Sequence, residues 1–390
     1  MRWSRDVPPV DNPSPTGSPH HHDRRTSWRS SVPSTSTTSA PKVLVFGLGG
    51  TVAMTSNTGG AVSPSLSAQQ LVDAVPGLAD AGIDIEVVDF RRRPGASLTI
   101  ADLTELAAAA AKTLAGGADG VVVTQGTDTI EETAYLLDLL HHRPEPLVVT
   151  GAMRNPTLAG ADGPANILAA IHTAASPHTR GHGCVVVFAD EIHAARWVTK
   201  THSTSGATFR SPDTGPLGYV LEGTVRMLTR LPYRLTVPPP NPTTQASVAL
   251  HTVTLDDDPT VLDAIGGRVD GLVVAGFGVG HVPETLVDTL TTLAARIPVV
   301  LASRTPAGPT LTHTYGFPGS EQDLIARGLI PAGWLHPYKA RILLHTLLAA
   351  AAKPEDIATA ITTAGGLTDP TAWPWPTTDN QPTGTCTTAA

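Results

Sequence analysis

Val121 to Leu137 reads VVVTQGTDTIEETAYLL, and this stretch decides the fold. Three consecutive valines behind Gly120 leave no polar face, as expected of a strand covered on both sides. Thr124, Gln125, Thr127, Asp128 and Thr129 then arrive in a bunch, and an apolar-periodic helix begins behind them. Two readings of the bunch stand side by side. Thr129 with Glu132, or Asp128 with Glu131, has the spacing of a helix capping box. A parallel strand ending here also opens onto the crevice beyond the strands' carboxyl ends, where open α/β sheets bind ligands.

Working outward, the same alternation repeats. The short β-branched runs KVLVFG from Lys42, IDIEVVDF from Ile83, GVVVT from Gly120, PLVVTGA from Pro146 and GCVVVFAD from Gly183 alternate with helix-like segments. Those segments are SAQQLVDAV, TIADLTELAAAAAKTLA, IEETAYLLDLL and ADGPANILAAIHTAA. The pattern predicts a doubly wound, mostly parallel α/β domain over 41–236. It decays after SPDTGPLGYV and crosses a Pro-rich segment, 237–246, read as a semi-rigid linker. Strand-like SVALHTVTL, GLVVAGFGVG and IPVVLAS then alternate with helix-like PETLVDTLTTLAARI, SEQDLIARGLI and HPYKARILLHTLLAAAA. A smaller α/β domain over 247–371 follows. Residues 1–40, with His20, His21 and His22 among Pro, Ser and Arg and no apolar signal-peptide core, read as a disordered leader, and 372–390 as a loose tail.

A chain of 390 residues that is 41% hydrophobic can build two cores. Acidic residues number 34 against 26 basic, without the basic stripe that a phosphate backbone requires, so no nucleic acid is expected. No run approaches the eighteen or so apolar residues of a membrane span. Cys184 and Cys386 make neither a disulfide framework nor a zinc site, and a reducing, cytoplasmic location is expected. A His-Glu-x-x-His helix and a Gly-x-Ser-x-Gly elbow are both missing from the sequence, and no metal or cofactor is expected.

The first strand ends in FGLGGTVAMTSNTGG. Gly47, Gly49 and Ala53 are a poor match to a dinucleotide fingerprint, because the stretch behind them is rich in Gly and Ser rather than helical. Alternatively, Gly49 and Gly50 form a tight turn that exposes the Thr51 hydroxyl at a strand tip, with the small-residue loop behind it as a lid. Thr51 and Thr127 would then stand at the ends of two parallel strands. A threonine hydroxyl needs a base to become a nucleophile, and Asp128 offers a carboxylate, although each threonine also suits a turn or an N-cap. Lys200, in RWVTKTHST, is one of only five lysines among 26 basic residues. An ammonium can lose its proton when desolvated and a guanidinium cannot, so Lys200 is either a buried base or charge partner or an ordinary surface lysine.

In their order and spacing GGTVAM, TQGTDTIEETAYLLDLL, VVTGAMRNPTLAGADGPANILAAI, VTKTHSTSGATFRSPDTGPLG, GFGVGHVP and SRTPAGPT resemble the bacterial-type L-asparaginase family, from about Lys42 to Gly366. The resemblance implies Thr51 as primary nucleophile, Thr127 and Asp128 as the Thr-Asp pair, and Lys200 as the lysine completing a second triad. It implies an ester on threonine, release of ammonia and hydrolysis to aspartate, without a cofactor. Asp128 would also pair with the substrate's α-ammonium. Ser97 would meet its carboxylate, and Ala152 would lie by the scissile amide. Asp162 and Asn166 fit the family pattern, though a helix cap and turn account for them equally. The family's second domain lends an asparagine and a glutamate to a neighbouring subunit, within a tetramer of two intimate dimers. Here those positions fall at His281 and near Tyr315, which do not keep that chemistry. The best-known members carry a tyrosine behind the Gly-Gly-Thr turn; MTSNTGGAVSPSL has none, which leaves the activator of Thr51 open. The expected function is hydrolysis of L-asparagine. The alternatives are an amidase for another small amide such as L-glutamine, a binding protein of the same fold without turnover, and, on GLGGTVA alone, a dinucleotide-dependent oxidoreductase.

Overall fold

The structure, a computed structural model, describes residues 39–50, 54–56, 62–64, 66–241 and 244–379. Five parallel strands, β1 (Lys42–Gly47), β2 (Asp84–Asp89), β3 (Gly120–Thr124), β4 (Leu147–Thr150) and β5 (Cys184–Phe188), lie in the order β2-β1-β3-β4-β5. Alternate side chains explain their unbroken apolar runs. Leu44, Phe46, Val121 and Val123 feed one buried cluster with α2 (Ile100–Ala115) and α3 (Ile130–Leu140). Val43, Val45, Val122 and Val148 feed the other with α1 (Ala68–Asp73) and α4 (Gly163–Ala175). Each such side chain stabilises the fold by roughly 1.5–3 kcal/mol through burial. Met54–Ser56 pairs with Val62–Pro64 as an antiparallel ribbon, where a dinucleotide fingerprint would require helix.

Antiparallel strands absent from the sequence reading extend the sheet beyond β5. They are β6 (Glu191–Ala194), β9 (Gly218–Leu221) and β10 (Thr224–Met227), and they bring the sheet to eight strands. Between β6 and β9 the chain makes a separate two-stranded ribbon of β7 (Thr199–Lys200) and β8 (Phe209–Arg210). The β9–β10 hairpin turns on Glu222 and Gly223, both at positive φ (51° and 68°), as a two-residue turn requires. Four-residue strands are too short to show a period, which is why the pattern appeared to decay there.

The second sheet is parallel throughout, in the order β11 (Val248–Thr252), β12 (Gly271–Gly276), β13 (Val299–Ser303), β14 (Ile330–Pro331). Leu272, Val274, Val299 and Leu301 pack towards α6 (Val287–Ala294) and α7 (Glu321–Ala326), with α5 (Thr260–Ile265) alongside. Val273, Val300 and Ala302, by contrast, belong to the same cluster as α3. Helix α8 (Pro337–Ala349), backed by α9 (Pro354–Ala364), supplies Ile342, Leu343, Leu344 and Leu347 to that cluster. Helix α3 is therefore covered nearly all round, and the two sheets share one core within a single compact unit, Ala40–Ala390.

The crossing segment is pinned at both ends, by Val237 N donating to Leu139 O (2.9 Å) and Asn241 N to Ala349 O (3.1 Å). Beyond residue 372 the chain is also tied back. Trp373 is buried, its Nε1 donates to Thr236 O (2.9 Å), and Thr378–Asp379 pairs with Tyr233–Arg234. Apolar area at Trp373 and Trp375 anchors what its composition of Pro and Thr had marked as loose. Among the described residues no helix is long and apolar enough to cross a membrane.

Candidate functional site

The strand order reverses between β1 and β3, and the polar bunch sits at that switch point. Leu48 N donates to Thr124 O (2.9 Å), and Gln125 N to Thr150 O (3.1 Å), drawing the three strand tips together. Gly50 has φ +88°, and a Cβ there would lie 2.1 Å from Gly126 N, so only glycine permits this approach of the two tips. Thr51 and the rest of 51–53 lie outside the described residues, as does most of the lid-like stretch behind them. The described neighbour of Thr51, Gly50, is thus packed one residue short of Thr127.

Thr127, Asp128 and Thr129 form a 3-10 turn that runs straight into α3. The expected capping box is not formed. Thr129, the N-cap residue, has φ −120° and ψ 15° rather than the extended backbone a box needs, and no side-chain cap bond is made. Its hydroxyl donates instead to Gly95 O (3.2 Å) and accepts from Gln125 Nε2 (3.3 Å). The bunch is thereby released from capping to build the crevice.

Lys200 comes in from β7. Its Nζ donates to Thr127 Oγ1 (3.0 Å) and to Asp128 Oδ1 (2.9 Å). The Lys200 side chain is 15% exposed and that of Asp128 67%, so the ammonium is sheltered while the carboxylate faces the crevice. Thr127 is buried. The arrangement fixes a hydroxyl against a cation and leaves the Asp128 carboxylate, paired with Lys200 through Oδ1, still exposed to a further positively charged group. Of the two readings of Lys200, the charge partner is the one seen.

Ser97 closes a short turn, Gly95–Ser97, whose Gly95 packs on Gly126; its side chain is exposed on the crevice rim. Asp102 holds this rim, accepting from Arg91 Nε (2.7 Å), Arg93 Nη1 (2.9 Å) and the amide and hydroxyl of Thr99 (3.1 and 2.8 Å). Burial works against its charge, but Arg91 and Thr99 outweigh it and bring the carboxyl down to about 2. A carboxyl held below its unfolded value stabilises the fold above that value and loses the contribution as the pH falls through the folded one. Asp102→Asn should therefore cost about 2 kcal/mol at pH 7 and progressively less as the pH falls to about 2, read as the pH dependence of urea denaturation.

Ala152 is buried in the loop after β4. Asn166 Nδ2 donates to Gly151 O (3.0 Å), and Asn166 Oδ1 accepts from Ala189 N (3.0 Å). Asp162 is the N-cap residue of α4 but makes no cap bond; its carboxylate accepts from Met153 N (3.0 Å) and Arg154 N (2.9 Å). The cap explanation for these two side chains is corrected, and the turn explanation stands: they stitch the loops beside Ala152.

His281 makes its contacts in the C-terminal lobe, apart from Lys200 and Asp128 of the same chain. Its Nε2 lies 3.1 Å from Glu321 Oε2, and its ring stacks edge-on against Tyr315 (4.9 Å) and Phe317 (5.0 Å). Tyr315 and Phe317 are 43% and 48% exposed. Glu321, which the sequence reading missed, is fully buried and also accepts from Thr314 N (2.9 Å) and Tyr315 N (2.7 Å). Burial opposes its charge, yet these bonds hold the carboxyl below the usual glutamate range. A signal was present in Ser320-Glu321, a cap followed by an acid in the first helical turn. No group of three or more His, Cys, Asp or Glu among the described residues could hold a metal ion.

Comparison with known proteins agrees with this architecture. Residues 42–233 match the family model described as asparaginase, N-terminal, and 247–361 that of the glutaminase/asparaginase C-terminal domain. A probable L-asparaginase of Deinococcus radiodurans is 37% identical over 331 residues, spanning 82% of this chain and 96% of the relative. L-asparaginase 2 of Escherichia coli is 33% identical over 337 residues, 81% of this chain and 91% of the relative. The crystal structure of a probable cytoplasmic L-asparaginase from Campylobacter jejuni superposes with a TM-score of 0.73 at 32% identity, covering 82% and 98% of the two chains. With both lobes matched in order, and the strand tips carrying the threonine, aspartate and lysine of the motifs, the chain belongs to the asparaginase family.

Proposed function

We propose that the chain hydrolyses L-asparagine to L-aspartate and ammonia through an ester on Thr51. The observation that carries this reading is Lys200 bonded at once to Thr127 and Asp128, beside the Gly50–Gly126 contact. The Thr51 hydroxyl adds to the side-chain amide carbon, its proton passes to the departing nitrogen, and ammonia leaves. Water guided by Thr127 then cleaves the ester and restores the hydroxyl. Asp128 takes the substrate's α-ammonium, Ser97 its carboxylate, and the backbone around Ala152 the amide end. We place the division of the chain at 237–246 and the protein in the cytoplasm, the latter in keeping with the name of the Campylobacter jejuni neighbour.

The catalytic unit in this reading is a homotetramer of two intimate dimers. The His281, Tyr315 and Phe317 cluster is exposed aromatic surface held from beneath by Glu321, suited to closing a neighbour's crevice. L-glutamine is the second reading, because His281 and Tyr315 stand at or near the positions where the family lends an asparagine and a glutamate to a neighbouring site, and they do not keep that chemistry. The test is ammonia release from the purified protein given L-asparagine or L-glutamine, and then from a mixture of Thr51→Ala and His281→Asp subunits under exchange. Asparagine should be preferred, each variant should be inactive alone, and the mixture should regain activity from sites holding neither change. A faster rate with glutamine would replace the substrate; no recovery despite measured exchange would refute the shared site.

A further inference from the structure

A deeply buried positive charge lies outside the triad. Lys339, third residue of α8, is 1% exposed, and its Nζ donates to the carbonyl of Val198. Val198 is itself fully buried and stands two residues before Lys200, at the entry to β7. Its amide is fixed to Ala194 O (3.0 Å), and Thr201 N beyond β7 is fixed to Thr208 O (2.8 Å). The segment that aims Lys200 is thus anchored on its own lobe through its amides and hydrogen-bonded to the other lobe through this carbonyl. Glu131, in the first turn of α3 just past Asp128, is 5% exposed, and its Oε2 has no hydrogen-bond partner among the described residues. It is the acidic group whose charge favours the Lys339 ammonium.

We propose that Lys339 is a positioning residue for hydrolysis: from the C-terminal lobe it grips Val198 and so sets the path by which β7 delivers Lys200 to Thr127 and Asp128, with Glu131 as its countercharge. The inference rests on the asparaginase reading. It assigns the second lobe a task in its own subunit's site, separate from what His281 would do for a neighbour. A lysine is suited to the place because a compact ammonium on a long stem crosses from helix to strand and fits a single carbonyl.

Burial pushes the Lys339 ammonium down to about 8, with Glu131 opposing the fall. His193 on β6 and His336 at the start of α8 also face it; burial holds both down to about 4, so they add no competing positive charge at neutral pH. The grip is therefore charged at neutral pH and weakens as the pH rises through about 8.

The experiment measures kcat and KM for asparagine from pH 6 to 10 with the full-length wild type, Lys339→Met and Glu131→Gln. Methionine keeps the stem without the charge. At pH 7 Lys339→Met should lower kcat about thirtyfold, within the range assigned to misplaced catalytic groups, with KM within about twofold. Wild-type kcat should fall through about pH 8; that limb should be absent from Lys339→Met and displaced to lower pH in Glu131→Gln, which loses the countercharge. Kcat within threefold of wild type in Lys339→Met, or a limb that stays in place in Glu131→Gln, would overturn the proposal. Should Lys339→Met fail to fold, the direction of the limb in Glu131→Gln decides alone. A wild type without asparagine hydrolysis would sink the functional reading instead, and the two failures are told apart in the same measurement.

Discussion

Lys200→Met should reduce kcat at least about a hundredfold, the lower end of what a positioned proton-transfer group supplies, and leave a protein that folds as before. Two bonds are lost, to Thr127 Oγ1 and Asp128 Oδ1. The buried Thr127 hydroxyl loses a donor, at a cost of about 1 kcal/mol. Asp128 is largely exposed and keeps its hydration, and methionine retains most of the packing of the sheltered lysine stem. Partly exposed ion pairs contribute about 0–1 kcal/mol, so the midpoint of denaturation should move only slightly while ammonia release collapses. Activity within threefold of wild type would reduce Lys200 to a structural tie. A loss of activity matched by a large fall in stability would show that the ribbon of β7 and β8, rather than the chemistry, had failed.

The second large effect falls on stability. Arg234, 2% exposed, donates to Arg143 O (3.2 Å) and to the carbonyl of His141, and lies 3.5 Å from Asp138 Oδ1. Asp138 accepts from Cys184 N (2.9 Å) and is itself buried in α3. The pair exists only because residue 183 is glycine: a Cβ there would lie 2.2 Å from Asp138 Oδ1 and 2.3 Å from Arg234 Nε. Arg234→Met should destabilise the protein by about 3–5 kcal/mol at pH 7, since it strands a buried carboxylate. Burial already holds the Asp138 carboxyl above its ordinary value, with Arg234 restraining the rise, and the variant removes the restraint. A carboxyl raised in the folded state costs stability once the pH exceeds its unfolded value, and the cost vanishes below it. The loss should accordingly shrink as the pH falls to about 4, and Asp138→Asn should recover part of it in the double variant. A loss that is the same at pH 4 and pH 7 would assign the damage to packing alone.

What the sequence disclosed follows from chemistry that repeats. The five parallel strands announce themselves because both faces are buried, and the crevice because Gly49, Gly50, Thr127 and Asp128 end two such strands. Lys200 could be picked out because lysine is scarce here. The same scarcity pointed to Lys339 and was not used, because the burial of Lys339 depends on α8 packing against α3, a contact between residues some two hundred positions apart. Arg234 was hidden for a like reason, since nothing in LPYRLT distinguishes a buried arginine from an exposed one. The capping box was misread because its spacing is necessary but does not fix the backbone at Thr129, where a 3-10 turn displaces the extended conformation. Four-residue β9 and β10 carry too few residues for a period, although Glu222-Gly223 is the kind of pair that closes a hairpin.

The shared core has a consequence for how the protein is made. Helix α3 is finished early in synthesis, yet Ile342, Leu343, Leu347 and Trp373, which cover it, are encoded near the other end of the message. While the ribosome works through the intervening hundred or more codons, the nascent first sheet displays an uncovered apolar flank, the kind of surface that chaperones bind and that sticks to its neighbours. Slow translation beyond codon 240 would lengthen that exposure, and a premature stop before α8 would release a polypeptide that carries Thr127, Asp128 and Lys200 but lacks the helix on which their sheet rests.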